Sequence, residues 1–273
     1  MADPPIGGSF RALLTIIAVK ILTQRYLRQF WKHPGGVFFL SRFCIKRSPF
    51  ENLIEAHTVR FLSQHTSIPV PKVYCAFTYR GQAYTVMERI DGARAGQGWV
   101  RRSAESKEKI LDQLRSIVEK IRAVSPPDGV GVSNLLGGPI YDGRLSGEPL
   151  RGPFSTVEDF HKSLRDGMEL DDHYNVLPSD LQELVTFHKQ TFSRPVLTHG
   201  DLSSLNVLVR GDKVVGIIDW DTSGWFPPYW EYTCAYNVNP YNEFWRQEVD
   251  KFLTPMQYAL EMENIRRKYF GDF

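Results

Sequence analysis

The pattern of apolar and polar positions divides the chain into a strand-rich first third and a mainly helical remainder. After the break at Pro34-Gly35-Gly36, residues 37–40 and 43–46 are short apolar runs that predict two strands. Ser48-Pro49 opens a helix expected over about 50–64, with Ile54, Thr58, Phe61 and His65 on one side at helical spacing. Ile68-Pro69-Val70-Pro71 is an extended connector, because each proline disfavours helix in the residue before it. Residues 73–78 and 83–88 predict two more strands about an Arg80-Gly81 turn.

Beyond Asp91-Gly92 the period changes. Ile110, Leu111, Leu114, Ile117, Val118 and Ile121 form a stripe with a 3.6-residue repeat. Residues 125–153 are rich in Gly and Pro and read as a long loop, of a length that often carries function. Helices are expected over 157–168 and 179–190. Strands are expected over 207–209 and 214–218, joined by Arg210-Gly211-Asp212, and a helical tail over 241–268. No internal repeat or low-complexity segment interrupts this order. The fold class is α+β, in three parts: an N-terminal helical extension (1–34), a small strand-rich lobe (35–90) and a larger helical lobe (91–273).

Composition changes this picture little. The chain has 273 residues, 42% hydrophobic and 23% charged, enough apolar material for a sizeable core. A net charge of +2 gives no reason to expect a nucleic-acid partner. Cys44, Cys75 and Cys234 are far apart and lack a Cys-x-x-Cys pair, so reduced thiols in a cytoplasmic protein are expected rather than disulfides or zinc. The N-terminus is more distinctive. Residues 10–22 are strongly apolar, but shorter than the ~20 residues a spanning helix needs, and no signal-type cleavage site follows. From Pro4 to Phe50 there is no acidic residue, against eight basic ones: Arg11, Lys20, Arg25, Arg28, Lys32, Arg42, Lys46 and Arg47. Such a helix is expected to pack its apolar face on the adjacent lobe. The alternatives are peripheral membrane contact or organelle targeting.

The chemistry concentrates in residues 198–232. His199-Gly200-Asp201 and then Asn206 precede the 207–218 hairpin, and Asp219-Trp220-Asp221 follows it. A hairpin brings its two ends together, so two carboxylates and an amide converge. Oxygen-only ligands of this kind suit Mg²⁺. Phosphoryl transfer needs such a metal, and also a carboxylate that orients the attacking hydroxyl and accepts its proton. Ordinary turn-forming Asp and Asn are the bland alternative, which this combination of motifs outweighs.

In these residues the chain resembles the aminoglycoside phosphotransferase (APH) family, in the fungal phosphotransferase-like branch of the protein-kinase-like fold. The family pattern appears as His199-Gly200-Asp201, Asn206 and Ile218-Asp219-Trp220. The segment from Trp225 to Tyr232, Gly152-Pro153-Phe154 and Ile68-Pro69-Val70-Pro71 are similar to that branch too, so the resemblance runs from about Gly36 to Tyr232. It implies a two-lobed, ATP- and Mg²⁺-dependent phosphotransferase acting on a hydroxyl of a small molecule. It makes Asp201 the catalytic base or orienting carboxylate, Asn206 and Asp219 the metal ligands, and His199 a brace for the loop. Asp221 stands where many fungal members have Glu, and no role is carried over to it.

On the nucleotide side the resemblance implies that Lys46, at a strand end, contacts the α- and β-phosphates and pairs with Glu55 on the next helix. Glu51, one turn earlier, is the competing partner. The backbone of Met87, Glu88 and Arg89 would hydrogen-bond adenine. No Gly-x-Gly-x-x-Gly lies between the first two strands, so the β- and γ-phosphate contacts stay unassigned. For a polycationic acceptor Asp159, Glu169, Asp171, Asp172, Glu231 and Glu243 are available, although each reads first as a surface charge. Trp225, Tyr229 and Trp230 either stack on a substrate or pack the core. The rival reading is an inactive or repurposed kinase-like fold that binds a nucleotide, metabolite or protein. Protein-kinase activity is disfavoured, because no Ala-Pro-Glu follows Asp219 and the Asp-Phe-Gly position reads Asp219-Trp220-Asp221. The oligomeric state is left open.

Overall fold

The computed structural model describes residues 3–24, 26, 36–49, 51–142, 145, 150–170, 177–237 and 243–271. The chain forms two compact units, residues 1–95 with 207–218, and residues 96–206 with 219–273. The hairpin expected in the helical lobe thus counts with the strand-rich unit, while Asn206 and Asp219 on either side of it belong to the other.

The first unit is built on a four-stranded antiparallel sheet in the order β1-β2-β4-β3. Its strands are β1 (Val37–Leu40), β2 (Phe43–Ser48), β3 (Val73–Tyr79) and β4 (Gln82–Glu88). β1 and β2 are joined by the two-residue turn Ser41-Arg42, with Ser41 at φ 51°. Helix α1 (Ser9–Leu22) packs Val19 and Leu22 against Phe38, Ile45, Cys75, Phe77 and Tyr84 of the sheet. Helix α2 (Ile54–His65) starts later than its proline suggested. The Asn52 side chain accepts the Ile54 N–H at 2.8 Å and begins the helix there, whereas Phe50 lies outside the described residues. Its buried face is Ile54, Glu55, Ala56, Thr58, Val59 and Leu62; Phe61 and His65, expected to share it, stack on each other at 4.5 Å instead.

A second sheet of the same unit, β10-β9-β5, contains the hairpin of β9 (Val207–Arg210) and β10 (Lys213–Ile217) with β5 (Ala93–Arg94). It holds the connection that leaves β4. The Arg210 guanidinium donates to the Asp91 carbonyl, and the Ala95 N–H to the Val207 carbonyl. The Ile90 side chain lies over Gly216, where a Cβ would come within 2.4 Å of its Cδ1.

In the second unit, α3 (Ala104–Arg122) is capped by the Ser103 side chain and buries all six residues of the expected stripe. The segment 125–153 carries the short ladder of β6 (Ile140–Tyr141) with β7 (Leu150–Arg151). α4 (Val157–Leu164) opens on a Thr156–Asp159 capping box. It stops before Met168 because Asp166 and Gly167 turn left-handed. α5 spans Ser179–His188. β8 (Val196–Thr198) pairs with β11 (Gly224–Phe226), and α6 (Trp230–Asn237) follows. The expected helical tail is two helices, α7 (Glu243–Phe252) and α8 (Gln257–Phe270). Pro255 breaks them apart, since it has no N–H and disfavours helix at Thr254. The core gathers Phe160, Leu184, Phe226, Tyr229 and Trp230, so Tyr229 and Trp230 are packing residues, and Trp225 is buried as well. Among the described residues no helix is long and apolar enough to cross a membrane.

Candidate active site

The nucleotide-side residues lie in the first unit. β2 and β4 are neighbours, with Lys46 opposite Thr85 and Cys44 opposite Met87. The Lys46 ammonium sits 3.0 Å from the Glu55 carboxylate on α2, and both side chains are mostly shielded. Glu51 goes elsewhere, accepting the Gly81 N–H at the β3–β4 turn. Burial, helped by Glu55, pushes the Cys44 thiol up to about 11, so this cysteine stays protonated beside the pair. Met87 is buried. The Glu88 N–H already donates to the Lys72 carbonyl and the Arg89 N–H to the Arg42 carbonyl. An adenine edge there would therefore meet carbonyl oxygens, or groups further along the connection, rather than these two amides. The β1–β2 connection is the Ser41-Arg42 turn, with no glycine loop.

The residues expected to carry catalysis lie in the second unit, Asp201 and Asn206 on the loop that leaves β8. The Asn206 amide nitrogen donates to both the Asp201 carbonyl and the Asp201 Oδ2, each at 2.9 Å. The turn between them is closed by Ser203 N–H to the Asp201 carbonyl and Asn206 N–H to the Ser203 carbonyl. Two acceptors on one side fix the amide orientation, with Asn206 Oδ1 turned away from Asp201. Asp219 adopts φ 67°, a left-handed conformation that Asp tolerates better than most residues. The chain thereby doubles back, and the Asp219 and Asp221 carboxylates come to offer oxygens within 4.8 Å of each other. This oxygen-only set fits Mg²⁺. The nearness of Asp221 was not foreseen.

The loop is held from behind. His199 is fully buried, its ring against Trp220 at 4.4 Å, and its Nδ1 accepts the Asp201 N–H. Its imidazole proton therefore sits on Nε2, and the residue acts as a brace. Glu231 on α6, 3% exposed, accepts the His199 and Gly200 N–H groups at 2.6 and 3.2 Å. The Trp245 indole donates to the Leu202 carbonyl. Gly200 sits at φ 81°, and a Cβ there would meet the Thr222 carbonyl oxygen at 2.7 Å, so only glycine fits. Glu231 had read as a surface charge. Its place between two aromatic residues, Trp230 and Tyr232, hints that it turns inward but not toward which loop. The Asp159 carboxylate accepts the Thr156 N–H in the α4 capping box and Glu169 pairs with Arg165 and Lys189, while Asp171 and Asp172 lie outside the described residues.

Comparison with known proteins bears on the fold and the family. An aminoglycoside 3'-phosphotransferase of Niallia circulans is 26% identical over 157 residues, 58% of this chain and 53% of its own length. The chain thus spans about half of that curated relative. Among solved structures, a thermostable mutant of aminoglycoside phosphotransferase APH(4)-Ia superposes with TM-score 0.59 at 18% identity, covering 86% of this chain and 78% of its own. Aminoglycoside phosphotransferase APH(3'')-Id from Streptomyces rimosus, in complex with ADP and streptomycin, gives 0.56 at 16%, over 97% and 99%. These likenesses establish the α+β kinase-like fold. The model of the phosphotransferase enzyme family, APH, matches residues 15–260, and the chain belongs to that family.

Proposed function

We propose that this protein is an ATP-dependent phosphotransferase that phosphorylates a hydroxyl of a small molecule. The observation that carries the reading is the Asp201–Asn206 pair, whose hydrogen bonds orient a carboxylate and free an amide oxygen on one rigid loop. Family membership and the Lys46–Glu55 ion pair support it.

Lys46, held by Glu55, binds the α- and β-phosphates of ATP. Asp201 accepts the proton of the substrate hydroxyl as its oxygen attacks the γ-phosphorus and ADP leaves. Asn206 Oδ1 and the Asp219 carboxylate would hold Mg²⁺, with Asp221 beside them; when bound, the ion neutralises charge on the phosphate oxygens. Glu231, His199 and Trp245 keep the loop fixed, which matters because small misplacements of a reacting group are costly. The acceptor is proposed only as a hydroxyl-bearing small molecule in the cytoplasm. Of the acidic residues available for a polycation, Glu231, Asp159 and Glu169 already serve the protein itself.

The test is a melting titration with ATP and with GTP, each with and without Mg²⁺, followed by phosphoryl transfer from labelled ATP to a panel of hydroxyl compounds. A nucleotide at ~100 times its dissociation constant stabilises the folded state by about 2.7 kcal/mol. A magnesium-dependent shift with ATP and a labelled product are expected. No shift with either nucleotide would overturn the proposal in favour of a repurposed fold.

A further inference from the structure

Helix α1 buries only part of its surface. Thr15, Val19 and Leu22 face the sheet, but Phe10, Leu13, Leu14, Ile17 and Ile21 remain 71, 54, 50, 45 and 47% exposed. At about 100° per residue these five side chains fall on one stripe, and Arg11 and Lys20 fall on its opposite flanks. Monomeric proteins rarely leave a contiguous apolar patch uncovered without a reason.

Next to Arg11, on one flank of the helix, an open depression of ≈ 530 Å³ lies along the β3 edge of the same unit. Arg11, Arg60 and Lys72 line it together with Ser63 and Gln64, and no acidic residue does. The Arg11 guanidinium donates to the Tyr74 carbonyl at 2.9 Å, which holds it at the rim. The surrounding sequence has the same sign, with eight basic and no acidic residues from Pro4 to Phe50.

We propose that α1 and this depression dock the protein on an anionic phospholipid surface. The apolar stripe enters the boundary between headgroups and acyl chains. Arg11 and Lys20 reach the headgroup layer on either side of it, as long cationic side chains do at membrane interfaces. Arg11, Arg60 and Lys72 receive a lipid phosphate, for which guanidinium and ammonium groups are the natural donors. The charge pattern selects this occupant. A second copy of the chain would bring the same cations against these, and an apolar protein groove gives no reason for cations on both flanks.

Vesicle co-sedimentation of the full chain tests the proposal. One vesicle is phosphatidylcholine alone, and the other contains about one third phosphatidylserine, a lipid that gives the surface its negative potential. Binding to the anionic vesicles is expected to exceed binding to the neutral ones by at least about tenfold and to fall with added salt. Leu14→Glu with Ile17→Glu should abolish it at unchanged melting temperature. Arg60→Glu with Lys72→Glu, both exposed, should remove the anionic preference, and this pair decides the matter if the first does not fold. Equal binding to both vesicles, no binding, or binding that survives the Arg60 and Lys72 changes would each overturn the proposal. So would stabilisation by inorganic phosphate without vesicle binding, which would make the depression a soluble-phosphate site. A dimer in light scattering that the stripe variant dissociates would overturn it too, by assigning the stripe to contact between copies.

Discussion

The Glu231 carboxylate holds the His199 amide at 2.6 Å, from a helix that begins 31 residues after the loop it supports. Its second oxygen takes the neighbouring Gly200 amide. A carboxylate suits two adjacent donors because both of its oxygens accept. Glu231→Gln keeps the shape but turns an NH₂ toward one of those N–H groups, leaving buried donors unpaired. The expected cost is about 1–3 kcal/mol, read from urea unfolding. Turnover should also fall, since the same loop carries Asp201. Unchanged stability would show that the brace is dispensable.

Asp201→Ala is expected to reduce turnover by roughly 10²–10⁴ while ATP still binds. Asn206 keeps one of its two hydrogen bonds in that variant, the one to the residue 201 carbonyl, so the loop has reason to hold its shape. Turnover measured beside ATP affinity separates the two properties. A variant with near-normal turnover would assign the base elsewhere.

The Lys46–Glu55 pair makes a contrasting prediction. Both side chains are mostly shielded, so removing one partner leaves the other charge poorly compensated. Lys46→Met and Glu55→Gln should each weaken ATP binding by at least about tenfold, and the double change should cost less than the sum, as interacting sites do. Glu51→Gln should leave ATP affinity alone, because Glu51 serves the Gly81 turn. Calorimetric titration of the four variants checks this, and a simple sum would argue against coupling.

Which parts of this were legible follows from how local each signal is. The strands were visible because each is a short apolar run bounded by a turn, and the α3 stripe because one helix face meets one core. The pairing of Asp201 with Asn206 was within reach because they stand five positions apart on one loop. Glu231 was not, because nothing in a carboxylate's neighbourhood along the chain says which loop it will face. The late start of α2 turned on the competing Asn52 side chain. The ladder of β6 with β7 pairs two residues with two, too few to show a period.

The pH dependence of stability should be set partly by two stacked histidines of the second unit. His161 and His188 lie 4.3 Å apart with nearly parallel rings, both buried. His161 Nδ1 lies 3.0 Å from the His188 carbonyl, which only accepts, so that nitrogen carries the proton. Its Nε2 then accepts the Tyr229 hydroxyl at 2.7 Å. Neutral imidazole satisfies both partners, and a second proton would face a hydroxyl already donating. Burial lowers the His161 pKa to about 4, with Arg165 adding to the effect. Burial takes His188 further, to about 2, helped by His161, Arg165 and Arg266. Both folded values lie below the unfolded one, so the unfolded chain binds protons first as pH falls. The stability these groups permit is complete above about pH 6.5 and is lost as pH drops toward 4. Each histidine contributes at most about 1.4 kcal/mol per pH unit in that window. His188→Phe preserves the stacked ring and removes one proton from the balance. Urea unfolding from about pH 7 to pH 4.5 should give the variant a shallower loss than the parent. Identical slopes would show that His188 ionises normally in the folded chain.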